Sequence, residues 1–570
     1  MGVFLSINNL ADILGISLAT AKKWRQTGLY PPRMDDRGRE GFYMEDLVGI
    51  PSVRAMLKTN WEKEKHVTPI RDFTSIELFA GGGGLALGME KAGFRHVLLN
   101  EFDANACQTL RLNRPEWNVV EGDVSGVDFT PWRGQVDFIS GGFPCQAFSY
   151  AGKKGGLNDT RGTLFFQLAR AVSEVRPKVF MGENVKGLLS HENGGTLDVI
   201  KNAIRELGYT LIEPRVLKAV MYQVPQKRER LILVAIRNDY ADRVRFDWPS
   251  PYRRVMTLND AFRAGELYDT DVPPSPGQAY PDGKRKVMEL VPEGGDWRDL
   301  PVEVQKQYMG GSFYLGGGKT GMARRLSMDE PSLTLTCAPA QKQTERCHPI
   351  ETRPLTVREY ARIQTFPDDW QFAGTLSAQY KQIGNAVPVN LAWAVGRSIM
   401  RLMNQIERID RGELVENEEP FEAHENDLHY FTSQGAVVQL SLFEPETLYL
   451  SKNNSSMLVG SCRQGTRKWI TSHLMYNYPI TQEELAEHPE LFQVKHLAVM
   501  HRKTPVGYFN VTGVKVVDRG YLQEQGYPVK SSKHKSDTQY ILYMLENNTE
   551  EWPNFDLDDF KVVIGKGVKR

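Results

Sequence analysis

The chain of 570 residues has few cysteines, no net charge and no long apolar run. Its five cysteines are an odd number, and no two of them have C-x-x-C spacing: Cys107, Cys145, Cys337, Cys347 and Cys462. This pattern argues against a disulfide framework and a zinc site, and it is typical of a reducing compartment. No apolar run approaches the roughly 18 residues of a membrane span, and the N-terminus lacks a basic-then-apolar leader. The sequence therefore predicts a cytoplasmic protein with no membrane segment and no metal site.

Basic and acidic residues balance, with 70 of each, so the net charge gives no evidence of an anionic partner. Any contact with nucleic acid must therefore come from local patches of basic residues. With 41% hydrophobic and 25% charged residues, the composition is that of a globular protein with ample core. The length exceeds one ordinary domain and indicates about three or four units.

Strand and helix patterns alternate from residue 70 to about residue 236, which predicts an α/β fold with a doubly wound, mostly parallel sheet. The predicted strands are 75–78, 96–99, 118–120, 136–140, 178–181 and 230–236, and predicted helices include 163–175 and 197–207. Residues 250–345 are rich in glycine, proline, tyrosine and arginine with little periodicity, which favours a recognition insertion. Regular patterns return at 355–364 and in a helix over 388–406.

These changes of pattern divide the chain into six segments. They are an N-terminal helical domain (1–68), the first part of the α/β domain (69–249), the insertion (250–350), a return segment of the α/β domain (351–406), an acidic linker (407–445) and a small β-rich domain (446–570). The β-rich domain has the pattern of a small barrel and resembles PUA-like readers of modified or extruded bases. It contains no convincing D…E-x-K nuclease cluster, so a fused restriction endonuclease is disfavoured.

The N-terminal residues 6–58 read as two short helices joined by a tight turn, the second of them over 18–26 and capped by Ser17. This is the spacing of a helix-turn-helix. Basic residues of the second helix are candidates for contacts with DNA phosphates: Lys22, Lys23 and Arg25. The alternative is a helical pair that only packs against its neighbour. The sequence over 19–32 resembles the helix-turn-helix domains of MerR-type regulators.

A lone cysteine follows one of the predicted strands at a sharp turn, in Phe143-Pro144-Cys145-Gln146. This arrangement suits a thiolate nucleophile at the carboxyl edge of an open α/β sheet. A later strand runs into Glu183-Asn184-Val185, and a carboxylate at the end of a neighbouring strand can reach the same pocket. The cysteine and the acid together predict a reaction site.

A glycine-rich turn, Phe79-Ala80 followed by Gly81 to Gly84, comes after the first strand and opens a helix. Glycine lets the backbone approach a ligand closely at a helix N-terminus. Glu101 is the last residue of the second strand, and its distance in sequence from the glycine turn is about that at which an acid binds ribose hydroxyls. Asp123 follows the third strand, where it can accept a hydrogen bond from an adenine amino group. The combination favours an adenosyl cofactor without a strongly anionic pyrophosphate.

Two further motifs carry polar residues. Arg228 and Arg230 stand at alternate positions before the last strand, so they project to the same side and can hold a carboxylate or a base carbonyl. An ordinary surface ion pair is the alternative reading. Asn385 and Val387 precede the helix over 388–406, where they can close over a cofactor bound at the glycine turn.

Taken in order, these motifs resemble those of bacterial DNA (cytosine-5)-methyltransferases of the restriction–modification type. The resemblance covers roughly residues 72–400, through the segments 79–84, 100–103, 141–149, 159–165, 183–185, 225–230, 353–367 and 384–388. The irregular insertion stands where that family has its target recognition domain. One departure is Gly82, where relatives often have a bulkier residue against the cofactor.

The resemblance implies the fold of S-adenosyl-L-methionine-dependent methyltransferases and a covalent mechanism on a flipped cytosine of duplex DNA. Cys145 would attack carbon 6, Glu183 would hold ring nitrogen 3 and the exocyclic amine, and Arg230 and Arg228 would support the base carbonyl and that carboxylate. Carbon 5 would then take the methyl group. The positions that match the family's cofactor contacts are Phe79, Ala80, Gly81, Gly83, Gly84, Glu101, Phe102, Asp123, Pro144, Leu164, Asn385 and Val387, with Phe102 stacked on adenine.

For DNA recognition, Thr334-Leu335 resembles the short Thr-Leu element of the family's recognition domains. Arg324 and Arg325 are candidate groove or phosphate contacts. The segment Gln439-Leu440-Ser441-Leu442-Phe443 resembles the peptide by which bacterial proteins bind the DNA sliding clamp. Its alternative role is to hold the linker on the folded core through Leu440, Leu442 and Phe443. A cognate restriction or defence protein is the other expected partner.

Two alternatives remain open at this point. A tRNA cytosine methyltransferase would have the same fold, but the long insertion and the helix-turn-helix argue against it. A DNA-binding regulator that uses residues 6–58 to control its own operon is compatible with the enzyme, because one chain can carry both activities. Methyl transfer to duplex DNA or to a transcript separates the two enzymes, and promoter binding tests the regulator.

Overall fold

The computed structural model describes most of the first 413 residues and the strands of the C-terminal part. The described residues are 4–14, 21, 32–34, 40–47, 51–143, 164–191, 195–314, 321–413, 447–451, 457–461, 475–480, 491, 494–501, 504–517, 539–547 and 560–565. The chain forms two compact units, Met1–Gly435 and Ala436–Arg570, whose boundary falls within the predicted acidic linker. None of the helices that the structure describes has both the length and the apolar character needed to cross a bilayer.

The N-terminal segment of the first unit combines a three-stranded sheet with short helices. The strands lie in the order β1-β3-β2 and are β1 (Phe4–Ser6), β2 (Arg33–Met34) and β3 (Glu40–Tyr43). The helices are α1 (Ile7–Leu14), α2 (Pro51–Leu57) and α3 (Trp61–Glu64). Helix α1 agrees with the first predicted helix. Ala21 is helical, and the rest of the predicted second helix, with Lys22, Lys23 and Arg25, lies outside the described residues.

The N-terminal segment packs directly on the α/β part of the same unit. The ammonium of Lys218 donates a 3.0 Å hydrogen bond to the carbonyl of Ile13, and the carboxylate of Glu64 accepts from the backbone N–H of Ser250 at 3.0 Å. The Arg397 guanidinium lies 4.2 Å from the centre of the Trp61 ring. Buried polar and cation–π contacts of this kind fix relative positions.

An eight-stranded sheet forms the centre of the first unit. Five neighbouring strands are parallel: β4 (Phe73–Leu78), β5 (Phe94–Glu101), β6 (Val119–Glu121), β7 (Phe138–Gly142) and β8 (Val179–Val185). Three strands at one side pair antiparallel: β9 (Tyr209–Leu211), β10 (Arg215–Lys218) and β12 (Glu229–Arg237). The order is β10-β12-β8-β7-β4-β5-β6, with β9 beside β12. The mostly parallel sheet predicted from the sequence is confirmed.

All six predicted strands are present, whereas β9 and β10 were missed. Each of them has only three or four residues, which is too short for a two-residue alternation to be recognised. They add antiparallel neighbours to β12, so this side of the sheet differs from a purely parallel one.

Helices cover both faces of the sheet, as a doubly wound fold requires. They are α4 (Gly84–Lys91), α5 (Ala104–Asn113), α6 (Leu164–Val175), α7 (Gly195–Glu206) and the short α8 (Asn238–Ala241). Successive residues of β5 point to opposite faces: Leu98 packs in the cluster that contains α6 and α7, and Leu99 packs in the one that contains α4 and α5.

The insertion has little regular structure, as its composition indicates. Its helices are α9 (Leu258–Phe262), α10 (Asp282–Glu289) and α11 (Val302–Met309). One short parallel pair, β11 (Gln226–Lys227) with β13 (Ser332–Leu333), attaches the insertion to the chain just before β12.

The return segment contains α12 (Val357–Ile363), α13 (Leu376–Asn385) and α14 (Val389–Asp410). No helix was predicted before residue 388, but residues 376–385 form α13, with Thr375 as its N-cap. Gly384 weakens the helical pattern in this stretch, because glycine inside a helix lowers helix propensity. Helix α14 continues to Asp410, beyond the predicted end at residue 406.

The second unit contains a seven-stranded sheet in the order β16-β19-β18-β17-β15-β14-β20. Its strands are β14 (Thr447–Ser451), β15 (Met457–Ser461), β16 (Met475–Ile480), β17 (His496–His501), β18 (Thr504–Val517), β19 (Gln539–Asn547) and β20 (Phe560–Gly565). The pair β15–β17 is parallel and the other pairs are antiparallel.

Candidate active site

A buried ion pair lies at the carboxyl end of β8. The Nε of Arg230 is 2.6 Å from Oε1 of Glu183, and both side chains are almost fully buried. The antiparallel register of β12 on β8, which pairs Arg230 with Val185 and Ile232 with Glu183, brings the two side chains together. Burial raises the pKa of Glu183, while the charges of Arg230 and Arg228 oppose that shift. The site therefore holds a carboxyl group that keeps its proton more readily than a carboxyl in water.

Arg228 is a second buried cation beside this pair. Burial, together with the charge of Arg230, lowers the pKa of Arg228 to about 9, although the charge of Glu183 opposes the shift. Its guanidinium donates to the carbonyl of Leu335 at 3.3 Å and to that of Asn385 at 3.4 Å. Arg228 and Arg230 thus face the same acid, as their alternate spacing predicted, and Arg228 also ties two distant segments together.

The end of β7 lies next to Glu183. Gly142 on β7 is directly opposite Glu183 on β8, and the side-chain amide of Asn184 donates a 2.9 Å hydrogen bond to the carbonyl of Phe143. The amide thereby fixes the chain where it leaves the sheet toward Pro144 and Cys145, which themselves lie outside the described residues. No role of Asn184 was predicted from the sequence, although a polar residue beside the acid at the end of a strand could have indicated one.

The glycine-rich turn is organised around Glu101. Its Oε2 accepts from the backbone N–H of Gly81 at 2.7 Å, and its Oε1 accepts from Phe102 and Asp103 at 2.9 and 2.7 Å. Phe79 is a non-glycine residue with a positive φ of 60°, a turn geometry that brings the chain from β4 into the glycines. One carboxylate therefore joins the first two strands at their carboxyl ends.

An exposed aromatic ring lies beside that carboxylate. Phe102 is 75% exposed just after β5, so its ring is available to stack on a flat ligand. Asp123 is exposed after β6, and its Oδ1 accepts from the N–H of Ser125 at 2.8 Å. An aromatic face and two carboxylates at neighbouring strand ends fit an adenosyl group, which offers a flat base and ribose hydroxyls.

The return segment closes against the glycine turn. A Cβ on Gly84 would collide with the carbonyl oxygen of Val387, so only glycine permits this approach. A Cβ on Gly82, the departure from the family pattern, would lie 3.2 Å from Cβ of Gln382 and 3.5 Å from Phe372. Leu164, the first residue of α6, packs against the core cluster on the other face, which also includes Phe79.

The model of the family C-5 cytosine-specific DNA methylase matches residues 73–401. The chain belongs to this family.

Several type II methyltransferases are similar to this methylase over most of their length. M.Eco47II of Escherichia coli is 62% identical over 404 residues, which cover 71% of this chain and 97% of the relative. M.PspPI of Psychrobacter sp. (strain TA137) is 58% identical, with 69% and 95% covered, and M.Sau96I of Staphylococcus aureus is 46% identical, with 66% and 83% covered. Among solved structures, the S. pombe Dnmt2 methyltransferase matches at 17% identity and a TM-score of 0.38, covering 59% of this chain and 99% of that chain.

The activity expected from the sequence, DNA (cytosine-5)-methyl transfer in a restriction–modification setting, is confirmed by this membership and these identities. The methylase acts on DNA, which decides between the two enzyme alternatives left open by the sequence. Among the described residues, no group of three or more histidine, cysteine, aspartate or glutamate side chains is placed to hold a metal ion.

The predicted recognition residues in the insertion of the methylase differ in their burial and in their partners. The hydroxyl of Thr334 donates to the carbonyl of Lys227, and the side chain of Leu335 is buried. Arg324 lies 3.6 Å from Asp296 and is mostly buried. Arg325 is 5% exposed, and each of its nitrogens donates to the insertion or to the first residues of the return segment, at Val291, His348, Pro349, Glu351, Met288 and Thr352.

This position disagrees with the predicted DNA contact of Arg325, because a guanidinium with all its donors used inside the protein has none left for a phosphate or a base. The sequence could not distinguish the adjacent arginines 324 and 325, since one-residue spacing in irregular chain does not show which side chain points inward.

Proposed function

We propose that this methylase acts on carbon 5 of a cytosine turned out of duplex DNA, through a covalent bond to Cys145, and that it protects host DNA as part of a restriction–modification or related defence system. The observation that carries the proposal is the buried Glu183–Arg230 pair, 2.6 Å apart, at the end of the strand next to the one that leads to Cys145. A cytosine must leave the duplex to reach such a pocket, at an unstacking cost of a few kcal/mol.

S-adenosyl-L-methionine is the proposed cofactor, and when bound it supplies the methyl group that carbon 5 accepts. Phe102 would cover the adenine face, Glu101 the ribose hydroxyls and Asp123 the adenine amine, with the turn formed by Phe79, Ala80, Gly81, Gly83 and Gly84 beneath. Asn385 and Val387 would close the site from the return segment, and Pro144 and Leu164 would border it. The exposed ring of Phe102 between the two acids supports this assignment.

The chain's own groups have complementary roles on the base. Cys145, as thiolate, forms the bond to carbon 6, and the electron pair displaced from the 5,6 double bond becomes available at carbon 5. Glu183 gives or shares its proton at ring nitrogen 3, which offsets the negative charge that the attack creates in the ring. Arg230 holds Glu183 in place and supports the base carbonyl together with Arg228. Loss of the carbon 5 proton to a base then expels the thiolate and restores the double bond.

Bisulfite sequencing of DNA from a host that expresses the chain tests this function. We expect protected cytosines at one short recurring sequence, because a recognition insertion restricts methylation to a specific site. A host carrying the empty vector is the control. Uniformly converted DNA in a host with soluble, folded protein would contradict the proposal.

For the N-terminal segment, we propose that it binds DNA as a helix-turn-helix. The three-stranded sheet β1-β3-β2 beside α1 supports a DNA-binding domain of the winged type, and Lys22, Lys23 and Arg25 would contact phosphates. In gel electrophoresis, we expect the wild-type chain to shift the mobility of DNA from upstream of its own gene. A Lys22→Glu/Lys23→Glu variant of the full chain should lose this mobility shift and keep methyl transfer. Equal shifts by the variant and the wild type would contradict this role.

A sliding-clamp contact through Gln439, Leu440, Leu442 and Phe443 stays a proposal, since these residues lie outside the described part of the chain. Two leucines and an aromatic residue in a polar linker suit a hydrophobic pocket on a partner. We expect the purified clamp to retain the wild type, and to lose a Leu442→Ala/Phe443→Ala variant that still methylates free DNA. Equal retention of both proteins would exclude the contact.

A further inference from the structure

Residues 382–388 of the return segment, which we call the linking segment, lie between the glycine turn and residues 332–337. We call residues 332–337 the recognition segment. On one side, the carbonyl of Val387 closely approaches Gly84, at the start of α4. On the other side, a Cβ on Gly384 would collide with the carbonyl of Thr336, and the thiol of Cys337 donates to Oδ1 of Asn385 at 3.2 Å. The linking segment therefore touches both the cofactor turn and the recognition segment.

Two buried glutamines connect the same segments from inside. The backbone N–H of Leu335 donates to Oε1 of Gln226 at 3.0 Å, and Nε2 of Gln226 donates to Oε1 of Gln364 at 2.8 Å. Nε2 of Gln364 then donates to the carbonyls of Ile383 and Ala386, at 2.7 and 3.1 Å. Both glutamines have 0% exposure. The hydrogen bonds form an unbroken buried chain from Leu335 to the linking segment.

This chain of hydrogen bonds has only one orientation. Gln364 must turn its NH₂ group toward the two carbonyls, which leaves its oxygen facing Gln226. Gln226 must therefore turn its own NH₂ group toward Gln364 and its oxygen toward the N–H of Leu335. Flipping either amide would place like groups against each other at a fully buried position, so the two side chains hold each other in register.

Arg228 makes a second connection between the same two segments. It donates to the carbonyl of Leu335 and to that of Asn385. Both backbone polar groups of Leu335 are thus tied to the linking segment, the N–H through Gln226 and Gln364 and the carbonyl through Arg228. A displacement of Leu335 cannot leave residues 383–386 unaffected.

We infer that Gln226 and Gln364 are positioning residues that couple recognition of the DNA site to cofactor binding. When the correct sequence seats the recognition segment, the glutamine pair holds the linking segment closed against the glycine turn, and the cofactor in turn favours the same arrangement. Such coupling is reciprocal, because two ligands that prefer one arrangement strengthen each other's binding by the same factor. The inference rests on the proposed function, since it assigns the recognition segment to DNA and the glycine turn to the cofactor.

The test compares binding of S-adenosyl-L-homocysteine to the full chain by calorimetry, with a duplex that contains the site mapped by bisulfite sequencing and with one that does not. For the wild type we expect the site-containing duplex to lower the Kd about tenfold or more, and we call this ratio of Kd values the coupling factor. In Gln226→Met and Gln364→Met, which keep side-chain volume but remove the amides, we expect the coupling factor to fall below about threefold. The ratio of kcat/KM for the correct duplex to that for a single mismatch should fall as well.

Gln405→Met is the matched control. Gln405 is also buried, and it also exchanges two hydrogen bonds with backbone, through the N–H and carbonyl of Arg245, but it lies on α14 away from both segments. Its variant should keep the wild-type coupling factor and mismatch ratio. A purely structural role for Gln226 and Gln364 would instead lower stability in all three variants without changing that factor.

Where Gln226→Met or Gln364→Met does not fold, the other of these two variants decides, because each of them removes the hydrogen bond between Gln226 and Gln364. A coupling factor near the wild-type value in every folded variant of Gln226 and Gln364 would overturn the inference. A coupling factor of one in the wild type would overturn it as well. Absence of methyl transfer by the wild type to any duplex would instead refute the proposed function, so the two failures are distinguishable.

Discussion

Replacing the proposed nucleophile, as Cys145→Ser, should abolish methyl transfer, with a fall in kcat of at least about four orders of magnitude. A serine hydroxyl ionises far less readily than a thiol, and it is a much weaker nucleophile toward carbon 6 at neutral pH. The measurement is transfer of labelled methyl groups to the mapped duplex. Binding of that duplex should remain, because the substitution removes one atom's reactivity and leaves the recognition segment unchanged.

A duplex with 5-fluorocytosine at the target position identifies the bond directly. When S-adenosyl-L-methionine is supplied, carbon 5 would carry the new methyl group and a fluorine that cannot leave as the proton does, so the thiolate would not be expelled and the protein should remain attached to the DNA under denaturing conditions. We expect this adduct with the wild type and with Cys337→Ser, which alters the exposed thiol beside Asn385. Cys145→Ser should form none. An adduct that survives Cys145→Ser would place the nucleophile elsewhere and refute the mechanism.

Glu183→Gln should lower kcat by about two to four orders of magnitude. Glutamine has nearly the same shape, but it cannot deliver a proton to ring nitrogen 3. Because burial raises the pKa of Glu183, its protonated form persists to higher pH than that of an exposed glutamate. Methyl transfer that needs this proton should fall as the pH rises through the pKa of Glu183. Single-turnover rates against pH should show this descending limb in the wild type and not in Glu183→Gln.

The same substitution should also destabilise the fold, because it leaves the charge of Arg230 without its partner in a buried site. Breaking one side of a buried pair typically costs about 3–5 kcal/mol in free energy of unfolding. A Glu183→Gln/Arg230→Met double variant should regain much of this stability in urea denaturation and remain inactive. If the double variant recovered activity with stability, Glu183 would be structural and its proposed proton transfer would be wrong.

Particular elements show where reading the sequence succeeded. Strand β8 begins with the apolar run Val179-Phe180-Met181, and β7 ends in Gly141-Gly142, so local pattern locates both strands. Glu101 and Glu183 were placed at the carboxyl ends of strands by the same reasoning, and the structure has them there. The helix α13 was missed. Gly384 within it is required by a contact distant in sequence, the close approach of the Thr336 carbonyl.

The active site was predicted unevenly for a similar reason. The pairing of Arg230 with Glu183 was implied by the family resemblance, through two motifs that are each readable in a few residues. The interior position of Arg325 and the contacts of Gln364 depend on partners distant in sequence, such as Val291, 34 residues from Arg325, and Gln226, 138 residues from Gln364. No local pattern reports such partners.

The sequence by itself determined the chemistry of this protein, because a reaction needs particular side chains, and the motifs that carry them are short, ordered and local. Its order of strands and helices likewise follows from periodicities of two and 3.6 residues. Which of those side chains face one another depends on the tertiary structure: the burial that raises the pKa of Glu183, the interior position of Arg325, and the hydrogen bonds of the two glutamines from Leu335 to the linking segment. Hydrogen bonding and desolvation act between neighbours in space, and residues 226, 335, 364 and 386 become neighbours only when the sheet, the insertion and the return helices pack together.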